Sequence, residues 1–138
     1  MMATATVRRK VAAALHACGM EAPAEGAAAL EPAGRELIAH LPSWVTRAGA
    51  LSGSSVVLVW CEPRRGIDER SVEPGQLVLN VRPGRYMVEV LDVAQNRWTS
   101  RETATAAPLV SGLPFAGGPL LVQVRYVGPA QRHHGGEE

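Results

Sequence analysis

The chain has 138 residues, 46% of them hydrophobic and 20% charged, with fourteen basic side chains against thirteen acidic ones and a net charge of +1. That is the profile of one soluble globular domain, long enough to bury its own core, and it excludes a disordered chain. The near-balance of charge lacks the basic surplus of a dedicated nucleic-acid binder, and no stretch reaches the roughly 18 apolar residues of a membrane span.

Fifteen of the 21 alanines lie in residues 1–50, which predicts a helical first half. Val7, Val11, Leu15 and Cys18 recur at spacings of four, four and three, the stripe of an amphipathic helix over about 6 to 18. Thr6 is its expected N-cap and Gly19 its expected C-cap. Arg8-Arg9-Lys10 ahead of an apolar run imitates a secretion signal. His16 ends that run after Val11–Leu15, short of the roughly 7 to 15 apolar residues such signals need, so the expected location is cytoplasmic. Residues 20–31 carry Pro23 and Gly26 without a period and read as a connection. A second helix is predicted over about 32–41, from Pro32 in its first turn to Pro42, which stops it.

From Val56 the period changes to two. Val56–Cys61 is apolar on both faces and suits a central strand covered on both sides. Leu77, Leu79 and Val81 alternate with Val78, Asn80 and Arg82. Arg82-Pro83-Gly84-Arg85 then carries the type II turn signature. Tyr86, Val88 and Val90 face one way in the next strand, with Met87, Glu89 and Leu91 opposite. Asp92–Asn96 reads as a turn into a hairpin partner over 97–103. Pro108–Val110 is a short candidate strand, and Leu120–Val127 alternates most cleanly of all. Strands joined by tight Pro and Gly turns predict an antiparallel immunoglobulin-like β-sandwich over 51–127. The helical segment 1–50 precedes it and makes the chain α+β overall, with a disordered tail at 128–138.

Reactive chemistry is poorly marked. Glu62, Asp68, Glu69 and Glu73 sit in a loop among Arg64, Arg65 and Arg70, as a solvated charged loop would. An enzyme would need a cleft bringing Glu62, Asp68 or Glu69 against His40. His16 and Cys18 are two apart on a helix and face different directions, and His133-His134 lack the further ligands of a closed metal site. No catalytic residue, metal or other cofactor is therefore expected. Cys18 and Cys61 are compatible with a disulfide, but buried free thiols are the favoured reading. Of six aromatic side chains, Trp44 and Trp60 read as core. Trp98 stands beside Arg97 in a polar strand, so Trp98 and Arg97 are the candidate ligand-binding residues, while a role covering the edge of the core is the competing reading for Trp98.

Gly84–Asp92, then Asn96-Arg97-Trp98, then Leu113-Pro114-Phe115 with Gly117–Val122, resemble the C-terminal immunoglobulin-like β-sandwich of bacterial barrel-type glycoside hydrolases. Leu37–Trp44 looks like the end of the last barrel helix before such a domain. The resemblance spans about residues 35–127. It departs from the family at Ala94-Gln95-Asn96, where a Thr-Gly pair is common. It implies the C-terminal part of a barrel enzyme or a free-standing relative, and it brings no catalytic residues, because those lie in the barrel. The resulting expectation is a non-catalytic accessory module that packs on a partner protein domain or binds a polysaccharide weakly. The alternative is an assembly subunit whose stripe of Val7, Val11 and Leu15 docks on another chain. Neither nucleic acid nor membrane is expected as a partner.

Overall fold

The stripe of Val7, Val11 and Leu15 forms helix α1, Thr4–Ala17, in a computed structural model that describes residues 2–17, 31–32, 37–53, 55–66, 75–106, 108–113 and 117–129. The helix begins ahead of Thr6, with Val7 N donating to the Ala3 carbonyl at 3.0 Å. Its whole apolar stripe is buried. Each such side chain contributes about 1.5–3 kcal/mol when removed from water.

Nine strands follow among the described residues: β1 (Glu31–Pro32), β2 (Ile38–His40), β3 (Val45–Ser52), β4 (Val56–Pro63), β5 (Gly75–Leu79), β6 (Gly84–Asp92), β7 (Arg97–Ala106), β8 (Leu109–Leu113) and β9 (Leu120–Gly128). A six-stranded sheet has the order β1-β3-β4-β9-β6-β7, and a three-stranded sheet has the order β2-β5-β8. Every pairing is antiparallel. The chain is thus a mostly antiparallel β-sandwich with one N-terminal helix, α+β overall.

Alternation along three strands explains the three layers. Val59 and Cys61 of β4, Tyr86, Val88 and Val90 of β6, and Leu120, Val122 and Val124 of β9 fill the space between the sheets. Val56, Leu58, Trp60, Leu91 and Leu121 point the other way and form the floor on which α1 lies. As expected, β4 is covered on both faces and sits inside its sheet. Trp44 and Trp60 are both core residues, one in each layer.

Several expectations give way. No α-helix occupies 37–42; Ile38–His40 is a strand paired with β5, and Glu31–Pro32 is a strand paired with β3. Residues 33–36 lie outside the described residues. Leu37, Ile38 and Leu41 pack against the inter-sheet core, so their burial is satisfied by a sheet edge as well as it would be by a helix face. The β part also begins before residue 51, at β1 and β3. Strand β3 carries Ala48, Gly49 and Ala50, which fall in the expected helical segment 1–50, and the reason for small residues there is α1. A Cβ on Gly49 would collide with Val7, and Met2 N donates to the Ala48 carbonyl at 2.9 Å.

The Pro83-Gly84 link is not a type II turn between paired strands. It carries the chain from the small sheet into the large one, and Gly84 already belongs to β6. Glycine is needed there for space: a Cβ would collide with the Tyr126 ring. Gly128, expected in the tail, is the last residue of β9; Cys18, Gly19, Phe115 and the tail beyond residue 129 lie outside the described residues. No helix among the described residues is long and apolar enough to cross a membrane.

Candidate functional site

The residues expected to bind a ligand are only partly accessible. Arg97 is exposed at the start of β7. Trp98 is half-buried and packs, with Val93, against the cluster beneath α1. Its position opposite Leu91 in the β6–β7 ladder directs it to the helix-covered side of the sheet. Most of its surface is thereby used within the fold.

Of the four acids of the expected charged loop, Glu62 falls among the described residues. Glu62 projects to the α1 side of β4, where it accepts hydrogen bonds from Lys10 Nζ and from Trp60 Nε1, the latter at 2.9 Å. Arg47 Nη1 lies 3.4 Å from its other oxygen. Burial by itself pushes the Glu62 carboxyl up, but the hydrogen bonds and positive charges of Lys10, Trp60 and Arg47 outweigh it and hold the group below its ordinary value. His40 sits in the small sheet, on the opposite side of the large sheet from the Glu62 side chain. Glu62 and His40 therefore do not share a cleft; Asp68, Glu69 and Glu73 lie outside the described residues. Cys61, one position before Glu62, is a buried free thiol between the sheets.

A different surface gathers polar and aromatic groups. At the end of the sandwich where β6 begins and β9 ends, an open groove of about 310 Å³ is lined by Leu37, Gly53, Ser55, Val56, Val57, Asn80, Val81, Arg82, Tyr86, Val124 and Tyr126. Three connections build it. Tyr126 N donates to the Ser55 carbonyl at 2.8 Å, fixing the β3–β4 turn beside β9, and Asn80 N donates to the Leu37 carbonyl at 2.8 Å, fixing the exit of β5 beside β2. Tyr86 Oη donates to the Arg82 carbonyl at 2.7 Å, which anchors the crossover between the sheets.

That anchor positions the Arg82 side chain. Its guanidinium carbon lies 4.0 Å from the centre of the Tyr126 ring, a cation–π stack. Tyr86 meets the same ring edge-on, with centroids 5.4 Å apart and planes inclined at 70°. Burial raises the Tyr86 phenol above its ordinary value despite the nearby Arg82, so the hydroxyl keeps its proton and remains the donor. The groove thus has an apolar floor of valines, hydrogen-bonding groups from Ser55 and Asn80 at its rim, and one oriented cation.

Arg82, Asn80, Tyr126 and Ser55 were not singled out by sequence patterning. Arg82 and Asn80 read as the polar side of a strand and Tyr126 as one alternating position, while Ser55 lies just ahead of the strand that starts at Val56. The only local signal was the Pro-Gly link after Arg82.

Compared with known proteins, the chain matches no family model, no curated protein and no solved structure.

Proposed function

We propose that this chain is a non-catalytic accessory β-sandwich module that binds carbohydrate weakly through the groove of Ser55, Asn80, Arg82 and Tyr126. The observation that carries the reading is the combination of an apolar valine floor with a rim of amide, hydroxyl and guanidinium groups in one open groove. A sugar ring has the matching surfaces: C–H faces that bury against apolar side chains, and hydroxyls that need donors and acceptors. A volume of about 310 Å³ is at the small end of ligand sites, consistent with holding a short stretch of a polymer. The resemblance of Gly84–Asp92 and Asn96–Trp98 to the sandwich of barrel-type glycoside hydrolases supports the same class of ligand.

The stripe that motivated an assembly role has a partner within the chain, since Val7, Val11 and Leu15 are at most 1% exposed on their own sheet. Affinity electrophoresis through a panel of polysaccharides tests the proposal. The wild-type chain is expected to be retarded by at least one, Arg82→Ala to lose the retardation and Trp98→Ala to keep it. Absence of retardation for the wild type across the panel overturns the reading.

A further inference from the structure

We infer that the saccharide taken by this groove carries a carboxylate, as a uronic acid does, and that Arg82 reads it. The inference rests on the carbohydrate reading of the groove and names the kind of sugar. Its basis is the state of the Arg82 side chain. The residue is exposed, and its guanidinium stacks on Tyr126 at 4.0 Å. The guanidinium sits over the Tyr126 ring and beside Tyr86, and its N–H groups form a planar fork matched to the two oxygens of a carboxylate. Holding the fork on a ring beforehand reduces the side-chain freedom lost on binding.

The surrounding charges favour the same ligand. None of the described residues lining the groove is acidic, and among the described residues Arg82 has no carboxylate partner. Other described arginines do meet acids: Arg47 is paired with Glu62 and Arg125 with Glu89. Arg82 is therefore a cation lining a groove with no counter-charge among the described residues, beside an apolar floor of valines. Its stack also occupies a face of Tyr126, so a neutral sugar gains no open aromatic platform on that side. Charge is what this arrangement adds over a plain sugar groove.

Titration calorimetry on the full chain with oligogalacturonate, its fully methyl-esterified form and a neutral galacto-oligosaccharide of equal length tests this. The acid is expected to bind roughly tenfold or more tightly than the ester or the neutral sugar, the size of one charge-assisted contact. Arg82→Gln is expected to abolish that ratio, and Arg82→Lys, which keeps the charge without the fork, to reduce it. The ratio is a readout that a purely structural role for Arg82 would leave unchanged. Equal affinity for acid, ester and neutral sugar overturns this inference and leaves the carbohydrate reading standing. Binding of polyglutamate as tight as that of oligogalacturonate also overturns it, because the groove would then read charge without the ring. Failure of all three sugars to bind overturns this inference, and the polysaccharide panel then decides the carbohydrate reading.

Discussion

Lys10 of α1 and Glu62 of β4 are joined by a charged hydrogen bond across 52 positions of sequence. Glu62 also accepts from Trp60 Nε1 of the same strand, so one carboxylate fastens the helix to the sheet and satisfies the indole beneath it. Replacing Glu62 by Ala leaves a half-buried ammonium and a buried indole N–H without their acceptor. The expected loss is about 1–3 kcal/mol in urea unfolding. Lys10→Met should cost less, because the methionine keeps the apolar stem and Arg47 remains beside the carboxylate.

The same site sets an acid limit. The Glu62 carboxyl is held below its ordinary 4.5 in the folded chain, so its contribution to stability is fully present above that value. It is lost as pH falls below about 4.5 and through the lower folded-state value. Unfolding free energies measured across this acid range should fall more steeply for the wild type than for Glu62→Gln. Parallel slopes would show that Glu62 does not carry the effect.

Cys61 is packed between the sheets, and burial pushes its thiol up to about 12. The reactive thiolate is therefore scarce at neutral pH, and the sulfur is shielded as well. In a Cys18→Ser chain, which isolates Cys61, a disulfide reagent should label only at the rate of unfolding. Rapid labelling under native conditions would mean that the sheets open at β4.

Leu15 is about 1% exposed beneath the C-terminal turn of α1. Leu15→Ala should cost about 2–5 kcal/mol and shift the fluorescence of Trp60, which lies in the same cluster. Asn96 marks the other attachment of this turn. Its Nδ2 donates to the Ala17 carbonyl at 2.7 Å, satisfying an acceptor at the helix end. Its backbone φ of 54° is one that asparagine tolerates better than most residues. Asn96→Ala should therefore destabilise through both the turn and the helix end, whereas Asn96→Gly should recover the turn alone.

Gly84→Ala separates the groove from the core. The new methyl group meets the Tyr126 ring, which has to move and take the Arg82 stack with it. Sugar binding should weaken by more than the accompanying drop in melting temperature explains. Unchanged binding would remove Tyr126 and Arg82 from the site.

Much less of the candidate site than of the fold was legible. Trp98 stood out because a large aromatic beside Arg97 in a polar strand looks accessible; its partner Leu91 and the helix above them were not visible from local pattern. Arg82 and Tyr126 each look ordinary in their own strands. Their significance arises only where the chain leaves the small sheet for the large one and brings the residue before Pro83 over the end of β9. Glu62 likewise read as one acid in a charged loop until Lys10 and Arg47 met it.

Alternation in β4, β6 and β9 and the stripe of Val7, Val11 and Leu15 in α1 were enough to establish which of these side chains turn inward, because side-chain direction follows from backbone geometry alone. The type of element was less secure at 38–40 and 45–52, where short apolar runs and small residues satisfy helix and strand equally. Which sheet each strand joins, which face the helix covers and which polar groups meet at the groove were decided by the tertiary structure. Those outcomes depend on contacts between residues far apart in the chain, where packing volume and the pairing of backbone hydrogen bonds override any preference a few neighbouring residues express.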